Sequence, residues 1–184
     1  MTPAFAPALE RFRRDYGAHR AEEGRGYRGS ELLSLPYLDE GPHARQWSVR
    51  ARTFDALMKH AVRPMHRSAG HPLRVLDLGA GNGWLSRRLA CKAHACPAVD
   101  TRDDSVDGLG AAAGFAEEPP FARLVASFDD LPLASGAADL AIFNASLHYS
   151  GDLAATLAEA ARVVRPGGCI AILHSPFYKC DADG

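Results

Sequence analysis

An α/β fold, a parallel sheet covered by helices, is predicted for residues 71–184 by two observations. Strand-like and helix-like segments alternate along this stretch, and the strands are apolar at consecutive positions, as strands buried on both faces are. "LRVLDL" is the first strand, and a helix begins over Trp84 to Cys91. "PAVD" is a short second strand closing on Asp100, followed by a short helix within "DDSVDGLGAAAGF". "FARLVAS" reads as a third strand and "ADLAIFN" as a continuous apolar fourth. "DLAATLAEAARVV" is an Ala-rich helix that starts at a natural cap, Asp152. "RPGGCIAILHS" is a turn followed by a last apolar strand.

Residues 1–70 have a different texture and are expected to form a helical extension and lid on the single domain. A short helix is expected around Pro7 to Tyr16, then an irregular stretch rich in Gly and charge. In "HARQWSVRARTFDALMKHAVRPM", Trp47, Val49, Phe54, Leu57, Met58 and Val62 fit one helical face, and Pro64 is expected to end that helix.

The bulk numbers narrow the function classes. The chain has 184 residues, 47% hydrophobic and 23% charged, with a net charge of −1. That suits one domain with its own core. A near-neutral balance argues against a nucleic-acid partner, which calls for a distinctly basic face. No apolar run reaches the roughly 20 residues that span a bilayer, so no membrane partner is expected. The first residues lack signal-peptide order, which makes the expected location cytoplasmic. Four cysteines are too few for a disulfide scaffold. Cys91, His94 and Cys96 lie close in sequence, but their spacing is not a zinc pattern and no metal is expected.

The chemistry concentrates in "VLDLGAGNGWL". Three glycines in five positions are costly in backbone entropy, so a ligand is expected close to this backbone. In an open parallel sheet, ligands bind beyond the carboxyl ends of the strands. A dinucleotide loop, G-x-G-x-x-G/A, would need a small residue where Trp84 stands, which weakens a nicotinamide-dependent reductase. What is present is D-x-G-x-G-x-G: Asp77, Gly79, Gly81 and Gly83.

That pattern resembles motif I of the class I S-adenosylmethionine-dependent methyltransferases, of the small-molecule, type 11-like kind. Asp100 at the end of the second strand, the "LPL" turn, "NASLHYS" and "RPGG" follow in the family's order, over roughly residues 72–175. The resemblance implies a Rossmann-like core with S-adenosylmethionine as cofactor and S-adenosylhomocysteine as product. It places Asp77 near the ammonium end. Gly79, Ala80, Gly81, Asn82 and Gly83 lie along the amino-acid moiety and ribose, and Asp100, with Thr101 beside it, lies at the ribose hydroxyls. Family members often carry an acid after strand 3 in D-A-x-x-L-P, and counting back from Leu131–Pro132 puts Ser127 there. Ser127 or Asp129 then takes the adenine contact, with the Phe128 backbone at the ring nitrogen. Asn144 ends strand 4 beside the cofactor. The full family fold adds a helix and an antiparallel hairpin after strand 5, for which "PFYKCDADG" is too short, so a C-terminally truncated domain is expected.

Methyl transfer from a sulfonium is an in-line displacement, which needs an aligned acceptor and, where the acceptor is protonated, a base. His148 and Tyr149 follow strand 4 and are the catalytic candidates, with His148 weighed against a structural role in the loop. Base-modifying enzymes carry [N/D]-P-P-[Y/F] at this point; Asn144-Ala145-Ser146-Leu147 does not match, so a small-molecule acceptor is expected. Tyr27, Arg28 and Tyr37 are the lid and substrate candidates. Trp47 is weighed as helix core against substrate platform. The alternative class is a non-catalytic cofactor-binding or partner-binding protein on the same fold. A homodimer is left open.

Overall fold

In a computed structural model of the 184-residue chain, residues 22, 24, 26–115 and 120–176 are described. The expected helix around Pro7 to Tyr16 falls outside them. The helices are α1 (Gly29–Ser34), α2 (Ala44–Leu57), α3 (Arg63–Ala69), α4 (Trp84–Ala90) and α5 (Leu153–Val163). The strands are β1 (Val75–Leu78), β2 (Ala98–Asp100), β3 (Arg123–Val125), β4 (Ala138–Asn144) and β5 (Val164–Leu173). They form one sheet in the order β3-β2-β1-β4-β5, and every pairing is parallel.

Strand periodicity divides the core into two layers. Val75 on β1 faces the same way as Leu140 and Ile142 on β4, and packs under Trp84, Leu85 and Leu89 of α4. The same cluster takes in Tyr27, Leu32, Leu35, Trp47, Phe54 and Val62, so the N-terminal elements share the sheet's core. Leu76 and Leu78 point to the other face with Ala141 and Phe143, against Ala160 and Val163 of α5. Because the register pairs Val75 with Leu140 and Leu78 with Phe143, apolar partners meet on both faces. Asp139, at the start of β4, is buried but accepts from the Arg74 backbone N–H at 2.7 Å and from Arg165 Nε at 2.6 Å. Those contacts hold its carboxyl well below the usual range.

The helix over Trp47 to Val62 does not stop at Pro64. A π-turn, Met58–Val62, links α2 directly to α3, whose first turn contains Pro64. In the widened turn the Arg63 N–H reaches back to the Met58 carbonyl, and the ring of Pro64 then follows where a missing donor is tolerated. The helix instead stops at Gly70, in the left-handed region. Of the expected helix face, Val49 is 42% exposed, whereas Trp47, Phe54, Leu57, Met58 and Val62 are buried. The "RPGG" segment is also not a separate turn: it is absorbed into β5 as a register shift between Ala138 and Leu140.

At α5 the cap is where the sequence places it. The Asp152 carboxylate accepts from the Ala155 N–H at 3.0 Å. Asp152→Ala is expected to cost about 1 kcal/mol, read as a fall in the urea midpoint without a change in slope.

Candidate functional site

The loop Gly79–Gly83 leaves the carboxyl end of β1, the central strand, and enters α4 at Trp84. Gly79, Gly81 and Gly83 have φ of +75°, +54° and +77°, a region open to glycine and unfavourable for other residues. Two of them also have crowded surroundings. A Cβ at Gly79 would stand 2.3 Å from the Ser146 Cβ, and one at Gly83 would stand 2.9 Å from the Phe121 ring. Ser146 is held there by donating to the Leu78 carbonyl at 2.5 Å. The glycines therefore shape the loop as well as opening it to a ligand.

Asp100, ending β2, clamps the loop from the side. Its Oδ2 accepts from the Gly81 N–H at 2.8 Å and its Oδ1 from the Arg102 N–H at 2.9 Å. Burial pushes this carboxyl up, and the two backbone hydrogen bonds and the Arg102 charge oppose the rise. Asp77 lies beneath the loop, on the α4 face of β1, and is 1% exposed. Ser86 Oγ donates to it at 2.9 Å. Desolvation dominates, and the carboxyl is raised to about 7. Cys96 sits beside the same serine, its thiol at 3.7 Å from Ser86 Oγ, and burial drives its pKa upward.

Above the loop is a cavity of about 80 Å³. Gly79, Ala80, Gly81, Asn82 and Trp84 form its floor, with Asp107, Asn144 and Ala145 at the sides. Tyr27, Gln46, Trp47 and Arg50 close it from the N-terminal region. Trp47 donates through Nε1 to the Tyr27 hydroxyl at 2.7 Å, and its ring meets Trp84 edge-on at 5.7 Å. Asp104 places Asp107: its Oδ1 accepts from the N–H groups of Val106 and Asp107. Ala145 has φ +58°, an uncommon conformation for alanine, directly after β4. Arg87 and Arg88 of α4 tie down the cover by donating to the carbonyls of Leu33, Ser34 and Leu35 at the end of α1.

Only some of the residues singled out from sequence line this cavity or support its loop. Gly79, Ala80, Gly81, Asn82, Asn144 and Tyr27 line it. Asp100 holds the loop through the Gly81 N–H, Gly83 ends it, and Asp77 beneath it is bonded to Ser86 of α4; Thr101 is half-buried next to Asp100. Ser127 and Asp129 belong to a hydrogen-bonded group that reaches α5: the Asp129 N–H donates to Ser127 Oγ at 3.3 Å, and Asp129 Oδ1 accepts from the buried Thr156 hydroxyl. Phe128 packs edge-on against Phe143 at 5.8 Å. His148 and Tyr149 lie in a short 3₁₀ turn, Leu147–Tyr149, with their rings 4.2 Å apart; both are exposed and neither lines the cavity. Arg28 is exposed at the start of α1. Tyr37 lies away from the loop, donating to Asp55 at 2.8 Å with Arg88 over its ring.

Sequence reasoning missed Gln46, Arg50, Trp84, Asp107 and Ala145 as cavity residues. A signal existed for the first two: Gln46 and Arg50 are four apart and flank Trp47, so one helical face carries all three. Trp47 is both 5% exposed core and cavity wall. His94 and Cys96 are engaged elsewhere, His94 Nδ1 accepting from the Leu73 N–H at 3.1 Å. Among the described residues no cluster of His, Cys, Asp and Glu is arranged to hold a metal, and no helix is long and apolar enough to cross a membrane.

A parallel sheet with a glycine loop and a strand-2 acid at the carboxyl end of its central strand defines a Rossmann-like ligand-binding domain. The methyltransferase domain family matches residues 76–172, more than half of the chain, and the chain belongs to that family. Over 99 residues it is 38% identical to dimethylglycine N-methyltransferase of Parasynechococcus marenigrum, covering 52% of this chain and 35% of that protein. Over 168 residues it is 30% identical to malonyl-acyl-carrier-protein O-methyltransferase of Methylococcus capsulatus, covering 76% of this chain and 57% of that one. The chain thus spans little more than half the length of these relatives at most. The solved structure of the PH0226 protein from Pyrococcus horikoshii matches with a TM-score of 0.54 at 23% identity, covering 68% of this chain and 57% of that chain, which bears on the fold.

Proposed function

We propose that this domain binds S-adenosylmethionine over the glycine loop and transfers its methyl group to an O, N or C atom of a small molecule. The observation that carries the reading is the Asp100 carboxylate, fixed at the rim of the loop by the Gly81 N–H at 2.8 Å, in a domain of the methyltransferase family. The residues present suit the cofactor. A left-handed glycine loop brings backbone close to an amino-acid moiety, and a carboxylate at the end of the second strand accepts from ribose hydroxyls. Asp77, buried beneath the loop with its carboxyl raised to about 7, gives the ammonium end an anionic neighbour only when that carboxyl is ionised. Ser127, Phe128 and Asp129 border the adenine end, held by α5 and Phe143.

S-adenosylmethionine held there would supply an electrophilic methyl for displacement from its sulfonium by an acceptor lone pair. The chain aligns the two and excludes water. His148 is the proposed proton acceptor for a protonated substrate atom, with Tyr149 against its ring. Partial desolvation and the Arg50 charge lower the pKa of this exposed ring, which favours the neutral imidazole that a base requires. A cavity of about 80 Å³ is small beside the 300–1,000 Å³ usual for ligand sites, so its cover of Tyr27 and α2 would have to give way for the cofactor to fit. A small-molecule acceptor fits the name of the dimethylglycine N-methyltransferase, whereas the malonyl group in the other relative's name is carried on an acyl-carrier protein.

Calorimetric titration with S-adenosylmethionine, S-adenosylhomocysteine and NADH tests the reading. Micromolar binding of the first two is expected, weakened on the order of 100-fold in Asp100→Ala by loss of two charge-assisted hydrogen bonds. NADH binding in their place, or no binding of either sulfur compound by the folded chain, would overturn it.

A further inference from the structure

The turn that carries His148 is tied down at both of its ends by serine hydroxyls. Before it, Ser146 Oγ donates to the Leu78 carbonyl, where β1 passes into the glycine loop. After it, Ser150 Oγ lies 2.7 Å from the hydroxyl of Thr156, near the start of α5. A threonine within a helix ordinarily turns its hydroxyl back to the carbonyl four residues earlier. Thr156 is fully buried, and its hydroxyl instead leaves the helix to donate to Asp129 Oδ1, in the loop after β3. Proton bookkeeping then fixes the direction of the chain. A carboxylate only accepts, and the one hydroxyl proton of Thr156 goes to Asp129, so Ser150 donates to Thr156. The loop that holds Asp129 is fastened to the same helix face. Glu159, one turn beyond Thr156, accepts from the Leu131 N–H at 2.8 Å, and Arg162 donates to the Leu131 and Leu133 carbonyls.

We infer that Thr156 is a positioning residue that joins the adenine side of the cofactor site to the turn carrying His148; this rests on the cofactor reading above. The turn then takes its place from both ends of one bound molecule. Ser146 ties it to the glycine loop, and Ser150, Thr156 and Asp129 tie it to the adenine. An adenine amino group that donates to Asp129 draws on the same carboxylate that holds Thr156. Its arrival is passed to Ser150 and to the imidazole two residues before it. A buried chain of hydrogen bonds responds as a unit, and removing its middle member separates the two ends.

The His148 ring is followed by NMR in the full chain, its signal assigned with His148→Gln, while adenosine is added. Adenosine is the probe because it lacks the amino-acid end and the sulfur. Wild type, Thr156→Val and Thr156→Ser are compared, each checked for native circular dichroism. Adenosine is expected to displace the His148 signal of the wild type. In Thr156→Val, which keeps the shape and loses the hydroxyl, adenosine still binds by calorimetry but the displacement is lost, and Thr156→Ser restores it. A displacement of the same size in Thr156→Val, or none in the wild type despite binding, overturns the inference. Should Thr156→Val fail to fold, Ser150→Ala cuts the chain at its outer end and carries the same expectation. Should the wild type not bind adenosine, Asp129→Ala takes the place of the ligand. It displaces the His148 signal in the wild-type background and not beside Thr156→Val if the bridge holds; equal displacement in both overturns it. S-adenosylhomocysteine titrated alongside shows separately whether the cofactor reading fails.

Discussion

Gly79→Ala is expected to destabilise the domain by about 4 kcal/mol, a large share of the 5–15 kcal/mol typical of a folded protein. Two costs add. An alanine at φ +75° loses about 1–2 kcal/mol against the extended or right-handed backbone it prefers. Its Cβ would also stand 2.3 Å from the Ser146 Cβ, and neither atom is the end of a flexible side chain. Ser146 cannot retreat without breaking its bond to the Leu78 carbonyl. A double-mutant cycle separates the two costs. Ser146→Gly alone loses that bond and gains chain entropy, about 2 kcal/mol together. Combined with Gly79→Ala it relieves the overlap, so the pair is expected to fall short of the sum by about 2 kcal/mol. Urea unfolding of the four proteins reads this directly. Additive losses would mean that Ser146 does not constrain the loop.

This contact also shows what the sequence could and could not disclose. Three glycines after an apolar strand announce a special backbone, and all three have positive φ. Ser146 lies 67 positions further on, and only the pairing of β1 with β4 brings it over Gly79. The parallel sheet was legible because consecutive apolar positions in "VLDL" and "ADLAIFN" admit burial on both faces, as the register shows. The cap at Asp152 was legible because capping is local. Pro64 misled because a proline rule assumes an α-helical hydrogen-bond ladder, and the π-turn before it alters that ladder. The cavity's N-terminal wall was the least legible part. Tyr27 and Arg50 are far apart in the chain and meet through Trp47, whose apolar ring gave a sufficient reason for its place on the helix without any ligand.

Asp77→Asn is expected to gain stability relative to the wild type as pH rises. The folded protein holds this carboxyl at about 7 through burial, well above the ordinary 3.8 of an aspartate in an unfolded chain. A folded-state pKa that is raised contributes stability fully present below the unfolded value and lost as pH climbs through the folded one. The loss therefore runs from about pH 4 to about pH 7 and approaches roughly 4 kcal/mol in total, at about 1.4 kcal/mol for each pH unit between the two values. Asparagine keeps the shape and still accepts from Ser86, but has no proton to lose. Between pH 5 and pH 8 the stability of the wild type relative to Asp77→Asn should thus fall by roughly 2 to 3 kcal/mol. Taking the difference between the two proteins cancels Asp139, Asp104 and Glu159, whose depressed carboxyls act with the opposite sign and at lower pH. It leaves Asp100, raised in the same direction, as the neighbour coupled to Asp77. Denaturant midpoints at four pH values suffice. A constant difference would mean that Asp77 is charged in the folded state across this range, and that its pairing with Ser86 outweighs its burial.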